Sequence, residues 1–169
     1  MNRRILPEGF TLIELLVVIP ILGILATGLM VMINPLARIQ QAQDAQRIND
    51  LNELQHALQL YYQDYGHYPY SNNGQICPQI GTCLTWNPPQ SWSPYIQQLP
   101  ADPAGLSYYY VTDPNATYYR LYAHIEQYRM DEHTCTAYSE TQCSNAGSAV
   151  CGPGTTSCNY GVSSPNVSP

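Results

Sequence analysis

From Phe10 to Ile33 the chain reads FTLIELLVVIPILGILATGLMVMI, a run whose clearly polar side chains are Thr11, Glu14 and Thr27. A helix of this length rises about 36 Å, more than the roughly 30 Å of a bilayer's hydrocarbon core. Being apolar on every side, it has no face to offer water, so the run predicts a membrane-spanning segment. A carboxylate in such a segment costs roughly 2.5–3.5 kcal/mol at the bilayer centre and less near an end, so Glu14 needs a partner. It is the first candidate functional residue.

The short stretch before this run carries Arg3 and Arg4. The inside-positive bias holds such a stretch in the cytoplasm while the rest is translocated, which predicts an N-in, C-out orientation at the inner membrane. A secretory signal places its small-residue cleavage site after the apolar core; here the small-residue junction, Gly9-Phe10, lies before it. Cleavage there leaves the apolar helix attached to the mature protein.

This arrangement resembles the type IV pilin and type II secretion pseudopilin family, whose N-terminal signature is a short basic leader, a glycine and a Phe-Thr-Leu-Ile-Glu core, matched here from Gly9 to Ile19. The resemblance implies cutting after Gly9 by a prepilin peptidase and N-methylation of Phe10. It also implies that Glu14 neutralises the freed amine of a neighbouring subunit in a filament. The physics agrees: opposite charges about 4 Å apart at an effective dielectric near 20 attract by about 4 kcal/mol. Pro20 departs from the pattern; it cannot donate to the Leu16 carbonyl, which predicts a kink inside the apolar helix.

The chain has 169 residues, so one anchor leaves room for one small head domain. Its net charge is −6 with no lysine, and loss of Arg3, Arg4 and Glu8 with the leader makes the mature chain more acidic still. Such a surface repels nucleic acid, and no nucleic-acid partner is expected.

All six cysteines, Cys77, Cys83, Cys135, Cys143, Cys151 and Cys158, lie beyond the anchor. In an extracytoplasmic head an even set reads as disulfides, with fifteen connectivities open. Cys77 with Cys83 is the locally favoured pair. Cys135 with Cys143 and Cys151 with Cys158 are the natural neighbours, though interleaved pairs stay open. A metal site from His133, Cys135 and Cys143 lacks the usual ligand spacing, and no metal or other cofactor is expected. Major pseudopilins bind calcium on an acidic loop with a Ser-x-Gly-x-Asp-Gly pattern. That pattern is missing here, where Asp102, Asp131 and Glu132 are the acids available, so the site is not carried over.

Beyond Pro35 the residues Ile48, Leu51, Leu54, Leu58, Tyr61 and Tyr65 recur at steps of three and four. They predict a helix face packed on a sheet, with Arg47, Asn49, Asp50, Asn52, Glu53 and Gln59 on the other side. Gly66 and Pro69 predict the helix end near Tyr65. The stretch Tyr68 to Pro103 reads as loop with Trp86 and Trp92 as anchors. Within it Leu99-Pro100-Ala101-Asp102-Pro103 resembles the Leu-Pro-x-Asp-Pro segment before the sheet of major pseudopilins. Ser107–Thr112 and Thr117–Ile125 predict a hairpin turning at Asp113-Pro114-Asn115-Ala116. On its second strand Tyr119, Leu121, Ala123 and Ile125 are expected to face the helix and Tyr118, Arg120, Tyr122 and His124 to look outward. A third strand is expected in Tyr128–Ala137. Two glycosylation sequons, at Asn115 and Asn166, fall in a turn and in the tail.

The sequence therefore predicts an α+β pilin-like chain: leader 1–9, transmembrane helix 10–33, its amphipathic continuation 34–65, a head with a small antiparallel sheet and disulfide-rich loop over 66–160, and a mobile tail 161–169. His56, His67, His124 and His133 are scattered without a nucleophile or phosphate loop, so no enzyme is expected. The expected role is a structural subunit that assembles with itself and other pilin-like subunits into a filament. A membrane-anchored adhesion module displaying Tyr- and Trp-rich loops is the alternative, suggested by fifteen tyrosines.

Overall fold

A computed structural model describes residues 9–127, 150–152 and 156–167, with the backbone alone for residues 29–33. The chain divides into two compact units, Met1–Ile39 and Gln40–Pro169. In the first, α1 (Leu12–Ile33) runs through Pro20 and ends at Asn34, which is left-handed at φ 45° and ψ 74°. The helix continues through Pro20, and the break before the next helix falls at Asn34. Pro35 disfavours helical geometry in the residue before it, and asparagine tolerates the left-handed region better than most. Pro35 then opens α2 (Pro35–Tyr65), where a first-turn proline lacks only a donor that would have no helical partner. Among the described residues no helix is long and apolar enough to cross a membrane, the described side chains of α1 ending at Gly28.

In the second unit α2 buries Asp44, Arg47, Leu51, Leu54, Ala57, Leu58 and Tyr61, one face at helical spacing. It ends as expected at Tyr65, where Gly66 takes φ 73° and its N–H bonds the Tyr62 carbonyl at 2.8 Å. Two features of this face differ from the expectation: Tyr65 is 58% exposed, and Arg47, placed on the outer side, is fully buried.

Burial of Arg47 is tolerated because its guanidinium meets two carboxylates. Nε donates to Asp102 at 2.7 Å and Nη1 to Asp44 at 2.8 Å. Each carboxylate is further satisfied by backbone: Asp44 accepts from the N–H groups of Glu126 and Gln127 at 2.9 and 2.8 Å, and Asp102 from those of Ala104 and Leu106 at 2.8 and 3.1 Å. Burial disfavours the charged guanidinium, but Asp102 and then Asp44 outweigh it and raise its pKa. One charged cluster thus fixes α2 to the Leu-Pro-x-Asp-Pro segment and to the chain leaving the sheet.

The stretch read as loop contains a sheet. Strands β1 (Tyr70–Asn72), β2 (Gln75–Gln79) and β3 (Thr82–Leu84) pair antiparallel in that order. Asn73 and Gly74, both at positive φ, turn β1 into β2, the Asn-Gly signal of a two-residue hairpin. A Cβ at Gly74 would lie 2.4 Å from the Tyr109 ring, so any side chain there would force the ring or the turn to shift. Cys77 and Cys83 are joined across β2 and β3.

A second sheet has the order β4 (Tyr109–Thr112), β5 (Tyr119–Ala123), β6 (Tyr160–Ser163), all antiparallel. The β4–β5 hairpin is the expected one, and Asp113 explains its turn. Its carboxylate accepts from Asn115 N at 3.1 Å, Thr117 N at 2.6 Å, Thr117 Oγ1 at 3.0 Å and Tyr118 N at 3.0 Å, with Ala116 left-handed at φ 55°. The third described strand is β6, from the region expected as a mobile tail beyond residue 160; Tyr128–Ala137 lies outside the described residues. On β5, Tyr119, Leu121 and Ala123 are buried in the core as expected, as is Ile125 just beyond the strand. Tyr122, expected outward, is fully buried as well, because the disulfide-bonded Cys151 and Cys158 pack against it.

Tyrosine is largely core material here. Tyr61, Tyr68, Tyr108, Tyr110, Tyr119 and Tyr160 pack with Trp86 and Trp92 in the main cluster. Their hydroxyls find acceptors where the fold supplies them: Tyr61 on the Pro78 carbonyl at 2.9 Å, Tyr110 on that of Pro69 at 2.8 Å, and Tyr108 on Asp50. Burial, only partly offset by the Tyr108 bond, raises the Asp50 pKa.

Replacing Arg47 with methionine strands two buried carboxylates and is expected to destabilise the second unit by about 3–5 kcal/mol. Denaturant titration of the full chain in detergent, followed by tryptophan emission, reads this because Trp86 and Trp92 both lie in that unit; a loss under about 1 kcal/mol would contradict it. Asp113 yields a pH prediction. Burial pushes its pKa up, but the bonds from Tyr118, Thr117 and Asn115 outweigh that and hold it below the ordinary carboxylate value. Its stabilisation is therefore complete above the unfolded pKa of about 4 and fades as pH falls through the lower folded value. Asp113→Asn should lower stability at neutral pH and show a smaller loss than wild type on acidification, the two denaturation midpoints converging at low pH.

Candidate assembly site

The candidate residues of the first unit gather at the start of α1. Thr11 is the N-cap, at φ −83° and ψ 150°, and forms a capping box with Glu14. Glu14 Oε2 accepts from Thr11 N at 2.8 Å and from Thr11 Oγ1 at 2.7 Å, while Glu14 N donates back to Thr11 Oγ1 at 3.3 Å. These bonds satisfy donors that every helix N-terminus leaves orphaned. The Thr-x-x-Glu spacing announces such a box. Reading Glu14 only as a charge awaiting a cation misses it.

Beside the box, Ile13, Val17 and Val18 line a shallow apolar depression whose polar edge is Glu14. Phe10 is 91% exposed, as are Leu12, Ile13, Leu16 and Ile24 to 88, 71, 71 and 73%. A Cβ built on Gly9 would meet no described atom within 4 Å, and Gly9 and Phe10 are both exposed among the described residues. The arrangement therefore offers three things on one helix end: an accessible small-residue junction, an apolar surface on every described side, and a carboxylate held one turn in.

The disulfide candidates belong to the second unit. Cys77–Cys83 and Cys151–Cys158 are formed, and among the described residues no cysteine is free. Cys135, Cys143, Asp131, Glu132 and His133 lie outside the described residues. Asp102, weighed as a calcium ligand, is bonded to Arg47 and two backbone amides instead. Its role in the buried ion pair was not anticipated, although the Leu-Pro-x-Asp-Pro segment had singled it out. Among the described residues no three of His, Cys, Asp and Glu converge on a cation position. His67 and His124 bond through Nδ1 to the carbonyls of Tyr68 and Ser157, both at 2.8 Å.

Residues 34–126 match the family described as type II secretion system (T2SS), protein G, and residues 8–30 match the prokaryotic N-terminal methylation motif. The type II secretion system core protein G of Escherichia coli (strain K12) is 36% identical over 102 residues, spanning 60% of this chain and 69% of that protein. The core protein G of Pseudomonas aeruginosa is 35% identical over 126 residues, 73% of this chain and 85% of its own length. That of Vibrio cholerae is 36% identical over 106 residues, 62% and 70% of the two chains. No solved structure matches. With a family match across more than half of its length and that likeness to the Pseudomonas protein, the chain belongs to the type II secretion system protein G family.

Proposed function

We propose that a prepilin peptidase cleaves this protein between Gly9 and Phe10, that Phe10 is N-methylated, and that the mature chain assembles through α1 as a structural subunit of a type II secretion pseudopilus. Before assembly, Phe10 to Ile33 anchors it in the inner membrane with its N-terminus inside and its head outside. The observation that carries this reading is α1 itself: a helix with exposed apolar side chains all round and one carboxylate in its first turn. Such a surface is stable only in lipid or among other apolar helices.

Cleavage changes what Glu14 has to do. It converts the Phe10 nitrogen from an amide into an ammonium, and one apolar bundle must then hold a cation and an anion per subunit. Pairing the Glu14 carboxylate of an incoming subunit with the Phe10 ammonium of a neighbour makes each tolerable to the other, worth about 4 kcal/mol at 4 Å and a dielectric near 20. A shift of one helical turn breaks the pair, so the contact fixes stagger between subunits. Thr11 keeps Glu14 oriented in the free chain and can remain its second donor in the filament. The protein performs no catalysis in this scheme; prepilin peptidase and other pseudopilins are its partners.

The adhesion reading draws little support from the second unit. Trp86 and Trp92 are 7 and 5% exposed, and Tyr108, Tyr110, Tyr119 and Tyr122 are within 2% of fully buried, so these six aromatic residues form core and not a broad display.

Mass spectrometry of the mature chain should find methylated Phe10 at its N-terminus; an intact Met1 would contradict the proposal. Glu14→Ala should be processed but should lower filament yield by at least about tenfold, the effect of losing some 1.4 kcal/mol or more per contact. Thr11→Val separates capping from pairing: it should weaken the helix start by about 1 kcal/mol yet still assemble. Wild-type filament yield from Glu14→Ala would overturn the pairing.

A further inference from the structure

We propose that the second unit carries a binding site for a neutral saccharide, in the cleft between the β1–β2 turn, the segment following β3 and the start of β4. The cleft holds about 480 Å³ and is lined by Asn73, Gln75, Thr85, Trp86, Asn87, Ser107, Tyr108, Tyr109 and Val150. That volume lies in the range of small-ligand sites and accommodates one or two sugar rings.

The chemistry of the lining selects the ligand class. Among the described residues no charged side chain borders the cleft, and the chain is acidic overall, so phosphates, nucleotides and carboxylates find no counter-charge from those residues. What the cleft offers is carboxamides and hydroxyls. Asn73, Gln75 and Asn87 each present two donors and an acceptor, and Ser107 adds a hydroxyl. None of these four side chains is hydrogen-bonded to a described residue, whereas neighbouring polar groups are: Thr85 Oγ1 donates to the Pro88 carbonyl at 2.8 Å and Trp86 Nε1 to that of Gly74 at 2.8 Å. Vicinal hydroxyls, which donate and accept at once, match that set.

The apolar component fits as well. The half-buried Tyr109 ring packs closely against Gly74, where an added Cβ would strike it, and forms part of the cleft wall. Trp86 and Tyr108 meet edge to face beneath, with ring centroids 5.7 Å apart. An aromatic wall beside carboxamides suits a sugar ring, whose C–H face is apolar and whose rim is polar. A peptide strand is less well served. The Gly74 carbonyl, between the lining residues Asn73 and Gln75, already accepts from Tyr110 N at 2.9 Å and from Trp86 Nε1, so it is not free to pair with an added strand.

The test uses the purified full chain in a zwitterionic detergent, so that no sugar headgroup competes. N-acetylglucosamine disaccharide, cellobiose and maltose are titrated separately while tryptophan emission and saturation-transfer NMR are recorded. At least one should bind saturably with a Kd of about 10 mM or tighter. Asn87→Ala and Gln75→Ala, at positions outside the core cluster, should each weaken that binding by about tenfold while leaving thermal unfolding unchanged. Absence of saturation by all three sugars, or binding indifferent to both substitutions, would overturn the proposal. So would triglycine binding at the cleft with the same dependence on Asn87 while the sugars do not. The site is independent of α1, so failure here leaves the assembly reading standing, and the reverse holds.

Discussion

A helix that is apolar on every side cannot remain alone in water, and α1 is such a helix. Everything proposed about assembly descends from that constraint and from the single carboxylate it contains. Glu14 is placed where an anion is least costly, in the first turn, close to the positive end of the helix dipole and to donors that the helix leaves unsatisfied. Thr11 supplies a further donor through its hydroxyl. The carboxylate is thus held ready in the unprocessed chain, and freeing the Phe10 amine presents it with a stronger partner.

The second unit solves a different problem, holding short strands in place. Its described strands are three to five residues long, at the short end of the usual range, so each ladder contributes few hydrogen bonds. Three kinds of tie compensate. The Arg47 cluster joins α2 to two distant backbone segments, the Cys77–Cys83 and Cys151–Cys158 bridges close local loops, and tyrosines fill the core while bonding to carbonyls at its edge. Tyrosine suits this construction because it carries a large apolar ring and a hydroxyl able to satisfy a buried acceptor.

Local patterns told most of the fold, and long-range coverage told the rest. The Leu51, Leu54, Leu58, Tyr61 stripe, the helix stop at Gly66 and the Asp113 turn were legible because each depends on residues within a few positions. Arg47 was misplaced because a hydrophobicity pattern counts an arginine as exposed, and nothing near it in sequence reveals Asp102. Spacing alone held a clue, since 44, 47, 51, 54, 58 and 61 continue one helical face. The β1–β2 hairpin was missed although Asn73-Gly74 marks it, its strands being too short and too interrupted by Cys77 and Pro78 to show alternation. Tyr122 looked outward because the residues that cover it, Cys151 and Cys158, come from a distant loop. The same remoteness hid β6 within a Ser- and Asn-rich tail. At the candidate assembly site, the motif from Gly9 to Glu14 was legible as a pattern, while the capping role of Thr11 was overshadowed by the charge of its partner.

The central claim is that proteolysis turns Glu14 from a helix cap into one half of an intersubunit ion pair. A cryo-electron microscopy reconstruction of purified pseudopili, at a resolution that separates side chains, measures this directly. The account predicts the Glu14 carboxylate within about 4 Å of the Phe10 nitrogen of an adjacent subunit. A filament in which Glu14 contacts only Thr11 of its own chain, with every Phe10 amine elsewhere, would contradict it.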